Sequence, residues 1–215
     1  MKTIIQVVLW IVCAFLAYMI YNSVNGPIEF KKVRKERFQA VINKLKDIRD
    51  SQEAYKTVNG KYAGNFESLV KFIDTGNYTI TQQRDSSFMR YDKVYQIELQ
   101  VDTIVIDTLG FVKVKDSLFK NSDAYKTMME VPYAQNGEKF DMKADIIEKS
   151  GYKAPVFEAS VKKDVVLYDQ PKDLRLQENA RNSVEEVNGN TVKVGSLVDV
   201  STNGNWPPIY DRKND

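Results

Sequence analysis

The stretch FQAVINKLKDIRDSQEAYKTVNGKYAGNFESLVKFI, Phe38–Ile73, decides how the rest of this chain is arranged. Phe38, Val41, Leu45, Ile48, Gln52 and Tyr55 follow one another at spacings of 3, 4, 3, 4 and 3 residues. That rhythm places them on one stripe of an α-helix, since 3.6 residues make a turn. The other faces carry Lys44, Lys46, Asp47, Arg49, Asp50 and Glu53, a mixed and solvated set. Two arrangements fit the stripe: packing on the domain's own sheet, which is favoured, or a helical seam with a partner. Asn59-Gly60 suits a left-handed helix cap, and Asn65 is placed to cap a short second helix over Phe66–Ile73.

Outward toward the amino terminus lies IIQVVLWIVCAFLAYMIY, Ile4–Tyr21, a nearly unbroken apolar run. Its 18 residues approach the roughly 20 that cross a 30 Å hydrocarbon core at 1.5 Å per residue. The reading is an uncleaved anchor in contact with membrane lipid through residues 4–21. A cleaved signal peptide competes with it, but the cleavage sites are poor: cutting after Ala17 puts Phe15 at minus three, and cutting after Gly26 leaves Pro27 next. Between anchor and stripe, NSVNGP at Asn22–Pro27 predicts a broken or bent neck. The expected organisation is therefore an anchor over 1–22, neck and amphipathic helices over 23–75, and a mainly antiparallel β region over 76–215. A small unit starting near residue 137 is an option within that last part.

The chain has 215 residues, no histidine, and a single cysteine, Cys13, inside the apolar run. Nucleophile systems that need an imidazole base have none here, and a zinc or copper site lacks both imidazole and thiolate ligands outside the run. Disulfides within the domain are excluded as well. Net charge is +2 with interleaved signs, unlike the one-faced basic footprint of a nucleic-acid binder. Ser-x-x-Lys spacings occur at Ser68-Lys71, Ser117-Lys120, Ser150-Lys153 and Ser160-Lys163 without the companion motifs of a serine–lysine enzyme. No calcium-loop alternation of acids is present. The sequence thus names no catalytic residue, no metal ligand and no cofactor.

Toward the carboxyl terminus the chemistry becomes that of strands. Tyr78–Gln83, Val94–Val101, Thr103–Thr108 and Phe111–Lys115 are rich in β-branched and aromatic residues, with a turn predicted at Asp107–Gly110. Ser117–Met129 reads as a short helix or loop. Phe140, Met142 and Ala144 alternate with charged residues, and Val156–Val161 and Val165–Tyr168 read as further strands. A helix is predicted over Lys172–Asn182, then a hairpin turning at Asn188-Gly189 between Val187 and Thr191–Val194. Asn203–Pro208 makes an aromatic-tipped turn whose Trp206, with Tyr210, packs on the domain by default.

Tyr55, Asn59, Gly60, Tyr62 and Leu69 stand in an order that resembles the end of the long N-terminal helix in type IV pilins and type II secretion pseudopilins. The resemblance covers residues 38–73. It implies a pilin-like layout, a helix packed on an antiparallel sheet and displayed outside the inner membrane. The chain departs from that family where Thr3 follows Lys2 without a leader glycine, where no acid lies within Ile4–Tyr21, and where Ala63 stands in place of the usual proline. Its layout also looks like that of single-span envelope proteins of Bacteroidetes.

Charge and resemblance disagree about topology. Lys31, Lys32, Arg34, Lys35 and Arg37 follow the run against Lys2 before it, which by the positive-inside rule favours a cytoplasmic domain. The resemblance favours a periplasmic one and is given the greater weight. The expectation is an α+β, inner-membrane, single-pass protein that acts by contact in an envelope assembly, with a link to secretion as one option, and is not an enzyme. Protein partners would meet it through Phe38, Val41, Leu45, Ile48, Tyr55, Trp206 and Tyr210. A carboxylate-dependent envelope hydrolase and a tethered ligand-binding module are the rival classes.

Overall fold

The computed structural model describes residues 2–92, 96–120, 122–149 and 151–211. Helix α1, Lys2–Asn59, runs for 58 residues, about 87 Å at 1.5 Å per residue. Its first part is bare: every described side chain of the apolar window is exposed, and the first buried residue of α1 is Phe30. The second part is the predicted stripe. Phe38, Val41, Ile42, Leu45 and Ile48 are all 1% exposed or less, and each such side chain contributes roughly 1.5–3 kcal/mol through burial.

The neck expected at Asn22–Pro27 is not a break, because α1 continues through it with Pro27 inside the helix. A lone proline removes one i→i−4 hydrogen bond and clashes locally. Long helical runs on both sides, one apolar and one amphipathic, hold the axis across that single defect.

Gly60, at φ +73°, ends α1 with its N–H donating to Lys56 O at 2.7 Å. The chain then turns into α2, Phe66–Thr75, where the Asn65 side chain accepts from Ser68 N at 2.8 Å as expected of an N-cap. Leu69 and Ile73 bury the inner face of α2 in the same core as the stripe, and Phe72 meets Tyr55 edge-on at 5.0 Å.

The sheet beneath α1 has three antiparallel strands in the order β3-β4-β5: β3 Asp141–Lys149, β4 Tyr152–Lys162 and β5 Thr191–Gly195. Register puts Met142, Ala159 and Val194 in one row across all three strands, with Val161 and Val192 in the next row out. These residues share one face by the period of two, and all five are buried against the helices. Pro155 lies in β4 beyond the reach of β5, which pairs only with Glu158–Lys162. There the strand is an edge, and a missing N–H costs no ladder bond.

Two predicted strands take other forms. Val165–Tyr168 is not a strand: α4, Lys163–Val166, is a helical turn running into Leu167. Val166 and Leu167 are neighbours and both fully buried, which a strand with one covered face does not allow. Val187 is likewise outside any strand. Asn188-Gly189 turns the chain, with Gly189 at φ +77°, but β5 pairs with β4 and not with the segment before the turn. Helix α5, Lys172–Asn179, is shorter than expected at its end.

The largest departure lies between α2 and α3, Val114–Phe119. The expected short strands form one hairpin instead, β1 Asn77–Asp92 paired with β2 Ile97–Lys113; Val94 and Tyr95 lie outside the described residues. The turn expected at Asp107–Gly110 is a β-bulge: Ile80 pairs with Gly110 and Thr81 with Thr108, leaving Leu109 as the extra residue. Sixteen residues at about 3.3 Å each make an arm of roughly 50 Å.

Candidate functional site

The residues expected to meet a partner are inside the protein's own core. Phe38, Val41, Leu45 and Ile48 are covered by the sheet and α2, Trp206 and Tyr210 are 8% and 7% exposed, and Tyr55 is partly buried against Phe72. The favoured packing of the stripe on the domain's own sheet is what the fold adopts, so six of these side chains are buried and Tyr55 is partly so. Trp206 and Tyr210 belong to a segment fastened onto α1. The Trp206 indole donates to Asp211 at 3.2 Å, Asp211 pairs with Lys46 at 2.9 Å, and the carbonyl of Tyr210 accepts from Lys46 at 2.6 Å and from Gln39 at 3.3 Å.

A buried ionic cluster makes a second fastening. Arg34 donates to Glu178 at 2.5 Å and to Glu186 at 3.2 Å, Arg181 meets the same two carboxylates at 3.1 and 2.8 Å, and Lys163 reaches Glu178 at 3.2 Å. The Lys163 ammonium also donates to the carbonyls of Glu178 and Val187, at 2.9 and 2.7 Å, so all its hydrogens are used. Lys163 and Glu178 are completely buried. Burial pushes the Lys163 amine down against the pull of Glu178, whereas for Arg34 the carboxylates outweigh burial and raise its pKa. Lys163 belongs to one of the Ser-x-x-Lys spacings, but its three acceptors are those just named and Ser160 is not among them. The sequence carried one sign of this cluster: Arg34 lies four residues before Phe38, on the apolar stripe itself, where a charge must find a buried partner.

Two open surfaces stand out among the described residues. One is the arm. By register, Phe88, Val101, Leu99 and Ile97 share one face near its tip, and Met89 and Tyr91 lie on the other with Ile104 and Ile106. Most are about half exposed: Phe88 51%, Met89 59%, Ile104 60%, Ile106 58%. The other is a cleft of about 620 Å³ along α1, lined by Lys32, Lys35, Glu36, Gln39, Ala40 and Asn43 and walled by Tyr133 and Ile209. No cluster of three or more acids, cysteines or histidines able to hold a metal occurs among the described residues. Compared with models of protein families, with curated proteins and with solved structures, the chain matches none.

Proposed function

We propose that this chain is a membrane-anchored, non-enzymatic assembly or scaffold protein of the bacterial cell envelope, held by residues 4–21 with its head on the periplasmic side. The observation that carries the reading is the β1–β2 arm. A two-stranded hairpin is marginal in water by itself, and three strands or a packing surface are needed for independent stability. This arm is about 50 Å long, is rooted at its base through Val114 N to Gly76 O at 3.0 Å, and exposes large apolar side chains on both faces. Its outer strand edges offer unpaired backbone groups, the usual template for strand addition. A protein partner that contributes a strand edge and an apolar surface would supply what the arm lacks.

The bare apolar half of α1 supports the anchor in the same way, since 0% of its apolar window is buried by the head. The test is co-purification of the full chain from mild detergent. A stoichiometric membrane-protein partner, lost when residues 80–110 are replaced by a short turn and kept when the exposed Val184, outside the arm, is changed to Lys, supports the proposal. Recovery as a solitary protein whose arm is already protease-resistant would overturn it. A reporter fused after Asp215 decides the side of the membrane.

A further inference from the structure

The cleft beside α1 has the make-up of a site for an oxyanion. Lys32 and Lys35 are exposed, one turn apart on the same face of α1, and among the described residues neither ammonium lies within ion-pair distance of a carboxylate. Most other cations of this surface are already engaged. Arg34 is in the buried cluster, Arg37 is held by Asp169 at 2.6 and 2.8 Å, and Lys46 pairs with Asp211. Two cations are therefore left uncompensated in one concave place, with Glu36 as the carboxylate that shares the lining.

The polar lining is also set in position. Gln39 donates to the side-chain oxygen of Asn43 at 3.0 Å, which fixes that amide and leaves the Asn43 Nδ2 hydrogens without a protein acceptor among the described residues. Tyr133 forms part of the wall. Tyr133 adopts φ +61°, a conformation that a bulky side chain takes only when its surroundings enforce it. Its ring lies 5.5 Å from the Arg37 guanidinium, which is clamped by Asp169 and by Val166 O at 2.8 Å. Strain of this kind, kept beside an open cleft, is a feature of places that hold something.

We infer that the cleft binds a phosphate-bearing ligand, with Lys32 and Lys35 as the cations on the phosphate, and with Asn43, about three turns beyond Lys32, lining the cleft together with Tyr133 and Ile209 beside the group that carries the phosphate. Lysine ammoniums act on phosphate as mobile point charges, and the Asn43 amide offers a donor to a polar atom farther along the ligand. The position along α1 fits a lipid headgroup. Lys32 is 11 residues beyond Tyr21, about 16 Å along the helix, and long lysine side chains reach back toward an interface. A free phosphate compound offers the same chemistry. The lipid source rests on the anchor reading above, while the oxyanion site itself does not.

The test uses the full chain in a zwitterionic detergent, titrated separately with short-chain phosphatidylglycerol, short-chain phosphatidylcholine and inorganic phosphate, and followed by thermal shift. The expected result is a saturable rise in melting temperature with phosphatidylglycerol that weakens with added salt. Lys32→Gln/Lys35→Gln should weaken binding at least tenfold while leaving the melting temperature without probe unchanged, because both side chains are solvent-exposed. Lys32→Arg/Lys35→Arg should retain it. A response to phosphate equal to that of the lipid assigns the site to a soluble ligand. No response to either, or an equal response from the double Gln variant, overturns the inference. Extraction of membranes with carbonate reports the anchor separately, so a failure there is not confused with a failure of the site.

Discussion

Gln52 and Ala63 exchange a pair of hydrogen bonds: the Gln52 amide donates to Ala63 O at 2.9 Å, and Ala63 N donates back to Gln52 Oε1 at 2.8 Å. Gln52 is fully buried on the apolar stripe of α1, and Ala63 belongs to the turn that leads to α2. A side-chain amide here takes the place of a backbone neighbour, satisfying a donor and an acceptor that the turn could not pair internally. Gln52→Leu should therefore cost about 2–5 kcal/mol, since two buried backbone groups lose their partners. Chemical denaturation of the full chain in detergent measures it. A loss no larger than that of Gln39→Leu, at a partly exposed position of the same helix, would contradict the account.

The helix–turn–helix of residues 38–73 was legible because each signal in it is local: a 3.6-residue period, Asn59-Gly60 to stop α1, and Asn65 to restart α2. Antiparallel β structure was legible for the same reason, through alternation. What could not be read is what depends on distant partners. Nothing local sets Glu178 apart from the other acids of its segment, and only the fold brings Arg34 to it from 144 residues away. The arm was divided wrongly at Asp107–Gly110 because a bulge and a turn draw on the same residues, and only the paired strand tells them apart. Lys32 and Lys35 were read for topology, since a cleft made with Tyr133 and Ile209 leaves no trace in the local sequence. The residues expected to meet a partner are packed in the core for a related reason: an apolar stripe shows that a face is covered, not what covers it.

Two glycines with positive φ should respond differently to alanine. Gly60, at φ +73°, has open space where a Cβ would lie, so Gly60→Ala should cost only the left-handed conformation, about 1 kcal/mol. Gly195, at φ +77°, would drive its Cβ into the carbonyl oxygen of Phe157 on β4. Gly195→Ala must therefore also push β5 from its neighbour, with an expected loss of about 3 kcal/mol. Equal losses in the two melting curves would show that the β4–β5 contact is looser than described.

Asp169 supplies a pH signature for the wall of the cleft. The Arg37 guanidinium beside it holds its carboxyl at about 2, below the usual 3.8. A carboxyl with a lowered folded pKa binds protons more tightly when unfolded, so its contribution is complete above pH 3.8 and is lost as pH falls toward 2. The carboxylate is 40% exposed, and solvent screening keeps that contribution small. Arg37→Gln should return the Asp169 titration midpoint toward 3.8 by carboxyl-carbon NMR. Wild type and variant should differ in stability at pH 6 and converge near pH 2. An unmoved midpoint would mean that Arg37 does not hold Asp169, and the support claimed for Tyr133 would go with it.

Glu178 should be the most sensitive charged position in the chain. It is completely buried, and its carboxylate serves Arg34 from α1, Arg181 from the segment after α5, and Lys163 from α4, so three cations depend on one anion and on its partner Glu186. Glu178→Gln removes the charge but keeps the shape, leaving Lys163 fully buried with only carbonyl acceptors. Breaking one partner out of a buried ionic group typically costs about 3–5 kcal/mol, because the remaining charge stays desolvated. Lys163→Met should cost less, since Glu178 retains both arginines and the methionine fills the lysine stem's space beside Phe38, whose ring lies 5.8 Å from the ammonium. Combining the two changes should cost less than their sum, as expected for residues in direct contact. Denaturant midpoints of the two single variants and the double variant measure all three. Strict additivity would show that Lys163 and Glu178 stabilise the fold independently and would remove this cluster as the tie between α1 and the carboxyl-terminal segment.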